Sequence, residues 1–154
     1  MDHNRHYWPV LLEALPASPG QALDVGCGTG ALSRELARRG WKVTAIDRDP
    51  PSIEAARSDH GAADIHYLLA DFLAYPFQAA SFDAITCVAA LHHMDMSAAL
   101  ERMRDLVRPG GVLAILGLAR GHGVADVARD VLGTVIDTAW DAGAATSRIL
   151  RREP

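Results

Sequence analysis

The stretch LDVGCGTG, residues 23–30, places three glycines within five residues, directly after an apolar run and directly before a helical pattern. Glycine adopts positive φ angles and lets another molecule approach the main chain closely, so this spacing is typical of a tight turn between a strand and a helix. A side chain at Gly28 would occupy the space of a ligand. The stretch therefore predicts a ligand-binding loop at the end of a strand, and a turn without a ligand is the alternative.

Apolar segments that can form buried strands alternate with helical patterns along the chain. The predicted strands cover residues 21–25, 42–46, 65–70, 82–88 and 111–117, with four helix-length segments between them. Helices are predicted over residues 31–40, from residue 50, and over residues 97–107. Strands that are apolar on both faces and alternate with helices predict an α/β, doubly wound fold: a mainly parallel sheet in the order 3-2-1-4-5, with helices on both faces.

Length and composition indicate a single domain. The chain has 154 residues, of which 49% are hydrophobic and 22% are charged. One compact core is typical of this size. We divide the chain into an N-terminal helical region (1–20, with the helix over 6–15), a core that contains the five predicted strands (21–118) and a C-terminal helical segment (119–154).

Charge and hydropathy limit the partners. A formal net charge of −4 gives no broad positive field, which argues against nucleic acid as the main partner. The chain has no apolar run long enough to span a bilayer and no leader pattern, so we expect a cytoplasmic protein without a membrane partner. Cys27 and Cys87 are expected to be free thiols that fill small apolar spaces.

Asp47 follows the second predicted strand, seventeen residues after Gly30. A carboxylate at this place can accept hydrogen bonds from both hydroxyls of an adenosine ribose. Because Gly26, Gly28 and Ala31 satisfy the dinucleotide pattern G-x-G-x-x-[GA], NAD and other adenosine cofactors fit the loop equally well. The structural alternative is that Asp47 only caps the helix that begins near residue 50.

Segments around strands three and four separate these cofactor classes. The motif ADF (70–72) follows strand three, and FDAITCVAALHHM (82–94) contains strand four. Together with LDVGCGTG, the acid of AID (45–47) and LVRPGGVLAI (106–115), they stand in the order found in the class I (Rossmann-like) S-adenosylmethionine-dependent methyltransferases. Over roughly residues 22–118 the chain resembles this family, especially its small bacterial members that act on small molecules.

The resemblance implies a site for S-adenosyl-L-methionine, with S-adenosyl-L-homocysteine as the product. The implied cofactor-binding residues are Tyr7, Asp24, Gly26, Cys27, Gly28, Gly30, Asp47, Arg48, Asp71, Phe72, Val88 and Ala89. The three glycines would approach the methionine part, and Asp24 would help hold its amino group through water. Val88 and Ala89 would line the pocket of the methyl donor.

The residues that the resemblance assigns to the adenosine part lie at the ends of predicted strands two and three. The resemblance implies that Asp47 accepts the ribose hydroxyls, that Arg48 flanks the adenine and that Asp71 accepts its amino group, with the Phe72 N–H beside the ring. Tyr7 would fold over the cofactor as a lid residue. Its alternative role is packing against the sheet.

The sulfonium of such a cofactor already supplies the leaving group, so the protein contributes mainly positioning. Where the acceptor is a hydroxyl, phenol or acidic carbon, His92 or His93 is the candidate base. A hydrogen-bonded structural role is favoured for at least one of the two. No metal site is predicted.

The C-terminal part departs from the family, whose sheet ends in an antiparallel pair of strands. Residues 124–140 read as helical, so we expect strands six and seven to be absent and the chain to be truncated. Strand five would then be an exposed apolar edge available for self-association.

The sequence thus predicts a methyltransferase core that acts on a small-molecule acceptor. A noncatalytic or truncated module that binds S-adenosylmethionine is the second hypothesis. An NAD-binding oxidoreductase domain is the third, but it leaves the segments 70–72 and 82–94 without a role.

Overall fold

The computed structural model describes residues 7–59, 65–118, 131–137 and 146–150. The strands in these ranges are β1 (Gln21–Val25), β2 (Lys42–Asp47), β3 (Ile65–Leu69), β4 (Phe82–Val88), β5 (Val107–Leu118), β6 (Val131–Asp137) and β7 (Thr146–Leu150). The helices are α1 (Trp8–Glu13), α2 (Ala31–Arg38), α3 (Pro50–Ser58) and α4 (Met96–Leu106), with a short 3₁₀ helix at Leu91–His93. Within the described ranges, none of the helices has the length and apolar character that a bilayer crossing requires.

The first five strands form the parallel sheet that the sequence predicted, in the order β3-β2-β1-β4-β5. Val25 at the end of β1 pairs with Ile46 of β2 on one side and with Cys87 of β4 on the other. The chain therefore leaves β1 for one half of the sheet and later returns to β1 to begin the other half. In doubly wound sheets, such a switch point opens a crevice at the carboxyl ends of the strands.

Alternating side chains of the strands fill two separate cores. One face carries Leu23, Ile85 and Leu113, which pack with residues of α4 such as Met103. The opposite face packs small strand residues such as Ala84 against the leucines of α1 and α2. Helices thus cover both faces of the sheet, as predicted.

Helix α1 is shorter than the predicted helix over residues 6–15, of which residue 6 lies outside the described residues. Leu11 and Leu12 are buried in the same core as Leu32 and Leu36 of α2. The N-terminal helix therefore packs on the face that α2 covers.

The link between β3 and β4 differs from the prediction of a helix-length segment. Residues 70–81, all of which are described, form turns without a helix. Aromatic rings take the place of helix packing: the ring centroid of Phe77 lies 4.6 Å from that of Tyr75 and 5.6 Å from that of Phe82. Pro76, within this segment, lacks the N–H that a helix would need there.

The prediction that strands six and seven are absent was wrong. β6 pairs antiparallel with β5 from Val112↔Asp137 to Leu118↔Val131, and β7 pairs antiparallel with β6. The segment VLGTVID of β6 is rich in β-branched residues, which favour strands, although its apolar spacing also fits a helix. Because β6 takes up the backbone groups of β5, the expected exposed edge at strand five and the self-association through it no longer follow.

At the start of β5 the chain forms an irregular bulge. Val107 pairs with Phe82, and the next pair is Val112 with Ala84. Residues 108–111 of β5 therefore stand opposite a single residue of β4 and bulge out of register, with Gly110 at φ +78°. The bulge brings Arg108 to Asp83, where its Nη1 donates to both carboxylate oxygens at 2.7 and 2.8 Å.

Candidate functional site

The glycine loop, residues 26–30, connects β1 to α2 through three left-handed residues. Gly26, Gly28 and Gly30 have φ angles of +70°, +51° and +77°. A Cβ at Gly26 would lie 2.1 Å from the Cβ of Ala90, and one at Gly30 would lie 2.4 Å from the hydroxyl of Tyr67. A Cβ at Gly28 would meet nothing within 4 Å. The outer two glycines therefore permit close packing, whereas Gly28 borders open space.

The loop is tied to the end of β2 by main-chain N–H groups. Gly26 donates to the carbonyl oxygen of Ile46 at 2.8 Å, and Gly28 donates to Oδ2 of Asp47 at 2.8 Å. Oδ1 of Asp47 accepts the N–H of Asp49 at 2.9 Å. The Asp47 carboxylate is thus fixed in orientation before any ligand arrives.

Beneath the loop lies a buried carboxyl group. Asp24 is 2% exposed; Ser33 Oγ donates to its Oδ2 at 2.6 Å and Thr86 Oγ1 to its Oδ1 at 2.9 Å. Burial raises the pKa of Asp24 to about 6, against the lowering effect of the two hydroxyls, and the negative charge of Asp47 adds to the rise. Both oxygens of Asp24 are therefore already hydrogen-bonded from within the fold.

A cavity of about 550 Å³ opens beside the loop at the carboxyl ends of the strands. This volume lies within the range of small-molecule sites. Seven of the residues predicted from the sequence line it: Gly26, Asp47, Arg48, Asp71, Phe72, Ala89 and His93. The fold thus gathers residues from four separate segments around one space.

The other predicted residues do not line this cavity. Gly28 and Gly30 belong to the loop, and Asp24 lies below it. Tyr7, Cys27 and Val88 pack against the core on the α2 face, and the ring of His92 lies against that of His93. Burial raises the pKa of the Cys27 thiol, and it raises that of Cys87 to about 12, so both thiols stay protonated at neutral pH.

Carboxylates dominate the polar part of the lining. Asp49 accepts the N–H of Ser52 at 3.0 Å and caps α3, and Asp95 accepts the N–H of Ala98 at 3.0 Å and caps α4. Oδ1 of Asp71 accepts the N–H of Leu73 at 2.8 Å. These bonds orient each carboxylate and leave acceptor capacity for a ligand.

The two histidines are the last two residues of the 3₁₀ helix, Leu91–His93, that follows β4. Their ring centroids are 3.9 Å apart with planes tilted by 42°, and both residues are exposed. Ala89, just before this helix, has a φ of +52°, which is uncommon for a residue with a Cβ. The turn directs the chain from β4 across the cavity and brings His93 into its lining.

Comparison with known proteins identifies this arrangement. Residues 23–115 match the family model described as a methyltransferase domain, which is more than half of the chain. The chain belongs to the methyltransferase domain family. This finding confirms the resemblance to class I S-adenosylmethionine-dependent methyltransferases, and the segments that carried that resemblance all fall within the matched range.

Individual relatives of this methyltransferase domain agree with the assignment. An uncharacterized methyltransferase of Mycobacterium tuberculosis (strain ATCC 25618 / H37Rv) is 43% identical over 114 residues, which are 73% of this chain and 58% of the relative. A ubiquinone biosynthesis O-methyltransferase of Xanthomonas axonopodis pv. citri is 37% identical over 126 residues, 73% of this chain and 50% of the relative. The chain thus spans about half the length of the curated relatives it matches.

A solved structure supports the same fold. The S-adenosylmethionine-dependent methyltransferase from Mesorhizobium loti superposes with a TM-score of 0.66 at 27% identity, covering 72% of this chain and 53% of that one.

Two arginines of the methyltransferase domain hold the loops of the cavity, and the sequence did not single them out. Nη1 of Arg34 in α2 donates to the carbonyl oxygen of Thr29 in the glycine loop at 2.9 Å. Nε of Arg102 in α4 donates to the carbonyl oxygen of Phe72 at 2.9 Å. Because both acceptors are main-chain atoms, no pairing of side-chain types marks these contacts in the sequence.

Proposed function

We propose that this chain is the S-adenosylmethionine-binding core of a methyltransferase that transfers a methyl group to a small-molecule acceptor. The observation that carries the proposal is the meeting of Asp47, Asp71, Phe72 and Ala89 with the glycine loop around one cavity. Family membership supports the reaction class. The cavity supplies a place for cofactor and acceptor to meet.

The geometry of the site fits such a cofactor. Open space lies where a Cβ of Gly28 would project, and the Asp47 carboxylate stands beside it with lone pairs left for ribose hydroxyls. Asp71 and Phe72 form the part of the wall that would meet the adenine, with Arg48 flanking it. S-Adenosylmethionine, when bound, supplies a methyl group on a sulfonium, for which the protein needs mainly positioning.

The acceptor proposal rests on the relatives and on charge. One relative is named for O-methylation in ubiquinone biosynthesis, and another, from Salmonella typhimurium, for O-methylation of malonyl-[acyl-carrier protein]. The net charge of −4 provides no attraction for a phosphate backbone. We therefore place a small oxygen nucleophile at the cavity, with His93 as the residue that takes its proton.

His93 is favoured over His92 by position. His93 lines the cavity, whereas the structure places His92 against the ring of His93. A base must reach the proton it removes, so His93 can act directly and His92 acts only by orienting its neighbour.

Ligand titration tests the cofactor proposal. Calorimetry of the chain with S-adenosylhomocysteine is expected to show one-to-one binding, and parallel titration with NAD is expected to show none. Binding of NAD alone would replace the proposal by the oxidoreductase hypothesis. Binding of neither ligand would refute a cofactor role for this cavity.

Paired histidine variants test the base. With catechol as a phenolic acceptor, His93→Gln is expected to lower kcat by about a hundredfold or more, the scale of general base catalysis, and His92→Gln by less. The affinity for S-adenosylhomocysteine should stay the same in both variants. Equal turnover of His93→Gln and the parent chain at every pH would remove His93 from the mechanism.

A further inference from the structure

The segment between β3 and β4 is held by one residue of a distant helix. Nε of Arg102 donates to the carbonyl oxygen of Phe72 at 2.9 Å, and its Nη2 donates to the carbonyl oxygen of Tyr75. The guanidinium carbon also lies 5.7 Å from the centroid of the Phe72 ring, within the range of a cation–π contact. Arg102 therefore contacts the segment at two carbonyl oxygens and at one face of the Phe72 ring.

The segment that Arg102 contacts is the part of the cavity wall that carries Asp71 and Phe72. Its internal bonds close a tight turn: the Asp71 carbonyl oxygen accepts the N–H of Tyr75 at 3.0 Å, and the Asp71 side chain accepts that of Leu73 at 2.8 Å. These internal bonds fix the shape of the turn, and contacts with other elements set its position: the Ala70 N–H donates to the carbonyl oxygen of Asp47 at 3.0 Å, and Phe72 is buried in the core. The Arg102 contacts connect the turn to α4, which packs on the sheet through Met103.

We propose that Arg102 is a positioning residue for adenine recognition, which it controls by fixing where Asp71 and Phe72 stand in the cavity. This inference rests on the proposed function, in which these two residues meet the adenine. Arg102 itself does not line the cavity, so its effect reaches the ligand through the backbone of the turn.

The geometry favours an arginine. Two carbonyls three residues apart are matched by two N–H groups that diverge from one planar guanidinium, whereas the contact with the Phe72 ring is open to either basic side chain. Lysine offers a single ammonium on a flexible stem, so it can satisfy part of this arrangement at best. Arg102→Lys should therefore behave more like a loss of the side chain than like a conservative exchange.

The test compares ligands whose bases differ at C6 and N1. S-Inosylhomocysteine carries an oxygen acceptor where S-adenosylhomocysteine carries an amino donor, and an N1–H donor where the adenine N1 is an acceptor. The ratio of their dissociation constants therefore reports the alignment of the Asp71 carboxylate and the Phe72 N–H with the edge of the base. The variants are Arg102→Met and Arg102→Lys. The matched control is Arg104→Met on the same helix, since the Arg104 side chain is 59% exposed and its recorded ion pair, with Asp105, spans 3.9 Å.

For Arg102→Met, affinity for S-adenosylhomocysteine is expected to fall about tenfold, with a smaller loss for S-inosylhomocysteine, so that discrimination shrinks. Arg102→Lys should show the same trend, and Arg104→Met should match the parent chain. Hydrogen exchange, measured without ligand, should accelerate at the amides of residues 73–75 in Arg102→Met while the amides of β1 and β4 keep their protection.

Each readout has an outcome that contradicts the proposal. Unchanged exchange at residues 73–75 would show that Arg102 does not hold the turn. Faster exchange with unchanged discrimination would make Arg102 a structural anchor without a role in base recognition. If the parent chain bound neither nucleoside, the proposed function would fail, and the exchange result would separately decide whether Arg102 holds the turn.

Discussion

The N–H of Gly28 donates to the Asp47 carboxylate at 2.8 Å, so the residue proposed to hold the ribose also holds the glycine loop. Asp47→Ala removes both functions at once. We expect the affinity for S-adenosylhomocysteine to fall by about tenfold or more, as loss of hydrogen bonds to a charged group implies, and calorimetry measures it. Asp105→Asn is the control, because the Asp105 side chain is 69% exposed. Binding by Asp47→Ala at parental strength would refute the ribose role.

The glycine loop offers a contrast between two alanine substitutions. Gly26→Ala places a Cβ 2.1 Å from that of Ala90 at a φ of +70°, and we expect it to lower the free energy of unfolding by about 3 kcal/mol. Gly28→Ala meets nothing within 4 Å and should cost only about 1 kcal/mol for its positive φ, yet weaken the binding of S-adenosylhomocysteine.

Urea unfolding and calorimetry on the two variants separate the effects. Equal stability losses in Gly26→Ala and Gly28→Ala would show that the contact with Ala90 relaxes at little cost. Full affinity in Gly28→Ala would place the ligand away from this part of the loop.

Asp24 should make stability depend on pH in an unusual direction. Its pKa is raised from 3.8 to about 6, so the folded state binds the proton more tightly than the unfolded chain. The free energy of unfolding therefore falls as pH rises from about 4 to about 6, by a total of about 3 kcal/mol from this group. Because the side chain of Asp24→Asn cannot ionise, the free energy of unfolding of this variant should lack that decrease with pH.

The measurement is urea unfolding of both chains between about pH 4 and about pH 8. The stability of Asp24→Asn relative to the parent should increase across the window and then level off. Parallel curves for the two chains would mean that Asp24 ionises in the folded state as easily as in water.

Asp83 should contribute with the opposite sign. Burial opposes its ionisation, but the Gln21 N–H and the Arg108 guanidinium outweigh burial, and the pKa of Asp83 lies below its ordinary value. Its stabilisation is present above the unfolded pKa and is lost as pH falls through the folded one. Asp83→Asn should thus cost about 1 kcal/mol at neutral pH, less as the solution becomes acidic.

Thermal or urea unfolding at neutral and acidic pH checks this expectation, with the exposed Asp105→Asn as control. A cost for Asp83→Asn that stays constant down to pH values below about 3 would assign the loss to packing instead of charge.

The sequence predicted the parallel half of the fold well because strand and helix periods differ sharply there. The predicted ranges 21–25 and 82–88 coincide with β1 and β4, and the order of the five parallel strands is confirmed. In β6 the two periods overlap: Leu132, Val135 and Ile136 fit a helical face as well as a strand rich in β-branched residues. Pairing with β5, a tertiary effect, favours the strand.

The candidate site, like the fold, could be predicted only in part from the sequence. Asp47 is the last residue of β2 and Asp71 lies two residues past β3, where the topology brings them to one crevice, so their positions near each other followed from the sequence. Their contacts with a cofactor stay predictions. The hydrogen bonds from Arg102 to Phe72 and Tyr75 could not be predicted, because they depend on carbonyl oxygens from a segment 27 to 30 residues away.

Arg34 holds the glycine loop by the carbonyl oxygen of Thr29, whose own side chain is exposed. Every amino acid presents that oxygen, so the hold does not depend on which residue stands at position 29. Position 29 can therefore exchange side chains, by drift or by engineering, while the backbone of the glycine loop keeps its course.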